Sequence, residues 1–397
     1  MVAARERTGQ PRCVHGACAR APAKGTRVTV ALSGGVDSSV AALLLAQQDV
    51  DLRAVYMRNW SAADETASMQ GGSGGNMGCA WQREWDDVQR VCRHLGGIPL
   101  SLVDLSQEYW IHVFEPALDS WAHGTTPNPD VDCNRTIKFG ALMDRIEDAS
   151  WLATGHYAQV AWRTDAAGRV CAQLERAADA SKDQSYYLSA VPEERLRRSV
   201  FPLGRMYKRD VRALARRHAL PTAENSESMG LCFVGERGRG THGFSRFLDG
   251  YVEGRRGRLV SPDGAVLGWH EGLHTLTIGQ RARIGGQCER HFVARKDLAT
   301  GDVVVIPGKA HPMLQCTALE CDAFAWVSGR ARGGALHAQV RYRQSAAAAS
   351  VADCGAHGIR VQFHSPMFAV APGQTVALYD GDTCLGSGVI DRAENLA

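Results

Sequence analysis

Ser33-Gly34-Gly35-Val36-Asp37-Ser38 sets two glycines, hydroxyls and one carboxylate directly after the apolar run Val28-Thr29-Val30-Ala31-Leu32. Glycines let a backbone curl until several N–H groups face one anion, and a helix amino terminus with the Ser33 and Ser38 hydroxyls favours the same charge. The chemistry is phosphate binding. The spacing lacks the Gly-Lys-Ser/Thr of a Walker loop and is not Gly-x-Gly-x-x-Gly. A carboxylate at Asp37 beside a phosphate is repelled without a cation, which implies Mg²⁺. The same carboxylate is also favourable as a plain negative charge at a helix start. Ala31 and Leu32 lead into the turn and Val36 lies within it, and all three count as nucleotide-site residues. Met57, at the end of the next apolar run, and Gly155, in Ala153-Thr154-Gly155-His156-Tyr157, stand where a nucleotide would lie across strand ends. Alone, each reads equally as core or turn.

Two of the twelve cysteines have unusual neighbours. Cys133 follows the proline-stiffened run Thr126-Pro127-Asn128-Pro129-Asp130, ahead of a helix expected from about Ile137. Arg135, Lys138 and that helix start would lower its thiol pKa. Cys232 lies between glycines in Gly230-Leu231-Cys232-Phe233-Val234-Gly235. Nothing in their spacing shows that the two meet, and for an arbitrary pair burial is the simpler reading. The other ten read as reduced, small hydrophobes, and with no Cys-x-x-Cys pair a structural zinc site is disfavoured. No metal ligand set is assigned.

The elements that must position these residues alternate. Strand-like runs at Val28–Leu32, Leu52–Met57, Leu100–Val103 and Trp151–Thr154 are separated by helical stretches at Ser39–Gln48, Trp81–Leu95, Gln107–Trp121 and Ile137–Ile146. That order predicts an α/β fold with a doubly wound parallel sheet. The Gly- and Ser-rich insert Ser61–Gly78 reads as a mobile loop. Beyond about residue 220 short strands such as Val303–Ile306 and Leu336–Tyr342 are punctuated by Asp-Gly and Pro-Gly turns. Two small β-rich domains follow from this, giving expected limits of 27–219 for the catalytic domain, 220–308 for a central domain and 309–397 for a barrel-like last domain.

Composition is that of a globular protein, with 45% hydrophobic and 22% charged residues and a formal net charge of +3. No apolar run reaches membrane-spanning length, so no membrane partner is expected. Residues 1–26 carry basic residues such as Arg5, Arg7, Arg12 and Arg20 against Glu6, with no secretory apolar stretch. They read as a mitochondrial transit segment or as a basic tail, with a cytoplasmic location as the alternative.

The turn SGGVDS resembles the PP-loop of the ATP pyrophosphatases. Together with TPNPDxxCNxxIKF from Thr126, ATGHYA from Ala153, KDQSYYLS from Lys182, GLCFVGER from Gly230, TIGQR from Thr277 and RYRQ from Arg341, it makes the chain similar to the tRNA-specific 2-thiouridylases. The likeness runs from about Arg27 to Asp391. Bacterial members read Asp-Ser-Thr-Gly where this chain has Glu227-Ser228-Met229-Gly230, and this, with Met57-Arg58-Asn59-Trp60, resembles the mitochondrial branch.

The resemblance implies that ATP adenylates the C2 oxygen of a wobble uridine, releasing pyrophosphate, and that sulfur displaces AMP. Cys232 would carry a persulfide from an upstream donor, Cys133 would release its sulfur and leave a Cys133–Cys232 disulfide, and Asp130 would be the acid/base group. Asn128 and Pro129 would shape the base pocket, and Lys182, Asp183, Gln184, Arg341 and Tyr342 match positions that touch tRNA; His156 and Gln374 are further candidates for such contact, a lone histidine being more often structural. The basic run from Arg195 to Arg217 would neutralise phosphates of the anticodon stem-loop. A monomer is expected. Two other readings remain: a different PP-loop adenylating synthetase, and a silent tRNA-binding protein.

Overall fold

The computed structural model describes residues 22–60, 80–146, 150–164, 168–226, 243–328 and 336–397. The insert Ser61–Gly78, the basic amino-terminal run and Cys232 with its neighbours lie outside the described residues.

The strands β1 (Arg27–Leu32), β2 (Asp51–Arg58), β3 (Leu100–Asp104), β4 (Trp151–Ala153), β5 (Gln159–Thr164), β6 (Val170–Glu175) and β7 (Ser199–Val200) belong to the first half of the chain. Five of them form the expected parallel sheet in the order β3-β2-β1-β4-β7. β1 is the middle strand. Val28 and Val30 are fully buried because helices cover both faces of a parallel sheet, which is why the run is apolar rather than alternating. β2 lies on one side of β1 and β4 on the other, so the strand order reverses there, and ligands of such sheets bind beyond the carboxyl ends at that reversal.

Helix α1 (Val36–Ala46) leaves the end of β1 and buries Val36, Val40, Ala41 and Leu45. Two other helices carry a wide π turn. One runs through Ser106–Tyr109, Trp110–Phe114 and Glu115–Ala122, the other through Pro129–Asp132, Cys133–Ala141 and Leu142–Arg145. The second therefore starts at Pro129, whose fixed φ suits a first helical position, and not near Ile137. Cys133 stands at its first wide turn.

The central module is a five-stranded sheet of Gly257–Val260, Val266–His270, Arg281–Ala282, His291–Lys296 and Val303–Pro307. The last module is built on a ten-stranded sheet, and the β5–β6 hairpin of the first half completes it: Leu174 pairs with Cys384 and Glu175 with Thr383. The sequence reading had no hairpin here. One core accordingly runs through Trp162, Leu174 and Tyr186 of the first half and Ala377, Tyr379 and Cys384 of the last. Burial pushes the thiols of Cys92 and Cys316 up to about 11 and those of Cys321 and Cys384 up to about 12, which leaves them inert, as expected for small hydrophobes.

Candidate active site

The SGGVDS turn has the geometry of an anion cradle. Gly34 sits at φ +73°, in the left-handed region that glycine tolerates, and a side chain there would press on the Glu84 backbone. Gly35 is the extended N-cap of α1, and no side chain caps the helix. First-turn N–H groups have no partner inside their own helix, so an anion placed there can accept from them. Ser38 Oγ accepts from Ser33 N at 3.2 Å and donates to the Gly35 carbonyl at 3.1 Å, which holds the curl.

Gly155, just past β4, packs directly on this turn: a Cβ there would stand 2.7 Å from Ser38 N and 2.9 Å from the Asp37 carbonyl carbon. Met57, the last but one residue of β2, is half-buried at the same edge of the sheet. The residues present thus fit a nucleotide whose phosphates lie on α1 at the β1/β4 reversal.

Asp37 does not face an uncompensated charge. Lys208 Nζ donates to both of its carboxylate oxygens at 2.7 Å, and Tyr157 Oη donates to one of them at 2.9 Å. The repulsion that pointed to Mg²⁺ is met here by a lysine. Lys208 was expected on an RNA-facing stripe, together with Arg195, Arg197, Arg198 and Arg216. Within the chain these four arginines pair with Asp144, Glu193, the Ser150 carbonyl and Glu224. Lys208, Tyr157 and Asn225, which donates to the Gly34 carbonyl at 3.0 Å, are site residues that sequence reasoning missed. Tyr157 stands in the ATGHYA run, which could have pointed to it, whereas no local motif marks Lys208 or Asn225.

The second half of the site is a cleft of about 480 Å³ where all three modules meet. Asn128, Pro129 and Tyr187 come from the first module, Thr277 and Gln280 from the TIGQR turn, and Arg341, Tyr342 and Gln374 from the last. Tyr187 and Tyr342 lie ring to ring at 4.3 Å, and Trp121 meets Phe244 edge-on at 5.5 Å. Burial lowers the Arg341 pKa, and its Nη2 donates to the Ile278 carbonyl. Asn128 Nδ2 reaches Tyr186 Oη at 3.4 Å. Asp130 lies in the first turn of its helix, and its charge raises the Tyr187 pKa further after burial.

Cys133 is 1% exposed. Arg135 is turned toward Asp132 at 3.1 Å, and Cys133 lies beyond the first helical turn, where the dipole acts most. Both weaken the activation expected from those two sources. The Cys133–Cys232 pairing falls outside the described residues.

The remaining expected RNA contacts divide. Lys182 stands half-buried in the turn before the helix Ser185–Leu188. Asp183 is buried, and its carboxylate accepts from Arg176 Nη1, Ala177 N and Ser185 Oγ at 2.9, 3.0 and 2.9 Å. Within the chain that side chain holds the fold together. Gln184 Oε1 accepts from Tyr157 N at 3.0 Å, tying the segment that abuts the phosphate loop to the helix that carries Tyr187. His156 bonds Thr154 Oγ1 at 2.7 Å through Nδ1 and packs between Phe139 and Phe201. Burial, then nearby Lys138, holds its pKa well below the usual imidazole range, so it is neutral.

A HUP-type α/β domain followed by two β-barrel modules is the class that this fold and site define. Residues 26–236 match the family model described as a tRNA methyl transferase HUP domain, 245–307 its PRC-barrel domain, and 316–390 an aminomethyltransferase β-barrel domain. A tRNA-specific 2-thiouridylase of Chromohalobacter salexigens is 41% identical over 379 residues, covering 93% of each chain. That of Lacticaseibacillus paracasei is 40% identical over 376 residues, 92% of this chain and 94% of its own. The chain belongs to the tRNA-specific 2-thiouridylase family.

Proposed function

We propose that the protein replaces the C2 oxygen of a tRNA wobble uridine with sulfur at the expense of ATP. The observation that supports this is the meeting of three modules around Asn128 and Pro129, at the start of the helix that carries Asp130 and Cys133, in a cleft of a size that suits one extruded base. The Tyr157–Gln184 bonds link it to the phosphate cradle.

Bound ATP supplies the adenylyl group that turns the C2 oxygen into a leaving group. The first-turn N–H groups of α1 hold phosphate, and Gly34 and Gly155 leave room for its approach. Asp37 would hold Mg²⁺ once Lys208 yields its place, a hard oxygen donor being what that ion requires. Asn128 and Pro129 wall the base, and Tyr187 and Tyr342 offer it an aromatic face. Asp130 moves the proton at the activated base, and Cys133 is the thiol that releases sulfur from a persulfide on Cys232. The protein acts as a monomer in this reading, and the basic residues before Lys24 direct it to mitochondria. Fusing residues 1–26 to a fluorescent protein tests the latter; a diffuse cytoplasmic signal speaks against it.

Purified protein with ATP, Mg²⁺, a persulfide donor and unmodified tRNA is expected to yield 2-thiouridine and AMP in equal amounts. Binding of tRNA without AMP release would instead indicate a silent binding protein. AMP release that needs a small carboxylate and no tRNA would indicate another synthetase.

A further inference from the structure

We propose that the central and carboxyl-terminal modules form a clamp that positions the loop leading to Asp130 and Cys133, with Lys296 and Gln374 as its positioning residues. The inference rests on reading that loop as part of the active site.

The loop spans residues 123–128, between the helices ending at Ala122 and beginning at Pro129. Its backbone is held from outside. Lys296 Nζ, from the central sheet, donates to the Gly124 carbonyl at 2.8 Å and to the Leu273 carbonyl at 3.0 Å. Gln374 Nε2, from the last module, donates to the carbonyls of Thr126 at 2.8 Å and Pro127 at 3.1 Å. Thr126 N donates to the Pro372 carbonyl at 3.1 Å. Gly373, at φ +88°, allows the approach, since a Cβ there would stand 2.8 Å from Thr126 N.

These contacts are specific in two ways. Lys296 is desolvated, which pushes its pKa down to about 8, and among the described residues no carboxylate pairs with it. Withdrawing an ammonium from water is costly unless it is hydrogen-bonded, and the Gly124 and Leu273 carbonyls supply those bonds. Gln374 spends both N–H bonds of its amide on the loop, so this side chain fixes the chain that walls the cleft. Pro127 lacks an N–H and Pro129 fixes φ, which stiffens the loop so that a hold on its carbonyls carries over to the helix bearing Asp130 and Cys133.

The test compares iodoacetamide labelling of Cys133 in the full chain with that of the buried Cys316 and Cys384, using exposed Cys288 and Cys354 as references. Lys296→Met and Gln374→Leu are expected to raise Cys133 labelling about fivefold or more while Cys316 and Cys384 stay protected, as local opening requires. The thiolation kcat falls about tenfold or more in both, and for Lys296→Met, whose side chain does not line the cleft, the tRNA Kd stays within about twofold, because positioning and not binding is lost. Lys296→Arg keeps its donors and restores protection; it and Gln374→Leu decide the matter if Lys296→Met does not fold. Unchanged Cys133 labelling, or equal rises at all three buried cysteines, overturns the clamp. So does a weakened tRNA Kd with intact kcat for Gln374→Leu, which would make it an RNA contact. A wild-type protein that forms no 2-thiouridine would refute the functional reading, whereas the labelling result bears on the clamp alone.

Discussion

Gly155→Ala is the smallest change that separates phosphate binding from everything else the fold does. The added Cβ would lie 2.7 Å from Ser38 N, against about 3.4 Å for ordinary contact, so the two backbones must part by about 3.4 − 2.7 = 0.7 Å. Both neighbours are main chain, and no side chain can rotate away. A 0.7 Å displacement takes an amide–phosphate bond from about 2.9 Å to about 3.6 Å, beyond hydrogen-bonding range. Each bond to a charged group is worth about 1.5–3 kcal/mol, so losing one lowers affinity about tenfold to a hundredfold. Binding of a non-hydrolysable ATP analogue, measured by calorimetry, reads this directly. Gly285→Ala is the control, because a Cβ there meets open space. If Gly155→Ala bound the analogue within about twofold of wild type while folded, phosphates would not lie on α1 and the nucleotide assignment would fail.

The Asp37–Lys208 pair should show coupling in a double-mutant cycle of Asp37→Asn and Lys208→Met by denaturant unfolding. About 1–2 kcal/mol is expected, because the Asp37 side chain is a third exposed; additive effects would show that the pair contributes nothing. Asp183→Asn should cost about 2–4 kcal/mol of stability and leave the tRNA affinity of the folded protein unchanged, since the carboxylate serves Arg176 and the backbone; filter binding that weakens at constant stability would contradict this. His156 is neutral in the fold with its pKa depressed, so the unfolded chain binds more protons as pH falls below the ordinary 6.5. Stability should be lost on that acid side, and His156→Phe should flatten the slope in thermal melts at stepped pH.

The parallel sheet was legible because buried parallel strands read as unbroken apolar runs, and the SGGVDS turn because its glycines are local requirements. What escaped the sequence was long-range. Lys208 reaches Asp37 across 171 residues, and its own helix shows only a run of cations, which reads as a solvated or RNA-facing stripe. The β5–β6 hairpin is completed by a strand some 200 residues later, so its edge gives no local sign of a partner. The start of the Cys133 helix was placed late because Pro127 and Pro129 read as loop. Pro129 is in fact the first helical residue. Gln374 stands in none of the family runs, and spacing cannot say which group its amide meets; in the assembled cleft that group is the 123–128 loop.

The account's central claim is that the C2 oxygen of uridine leaves as part of AMP. A tRNA transcript carrying ¹⁸O at that position, incubated with the protein, ATP, Mg²⁺ and a persulfide donor, should give 2-thiouridine and AMP whose phosphate has gained one ¹⁸O by mass spectrometry. Unlabelled AMP formed alongside 2-thiouridine, or label that stays in the uridine while AMP accumulates, would contradict it.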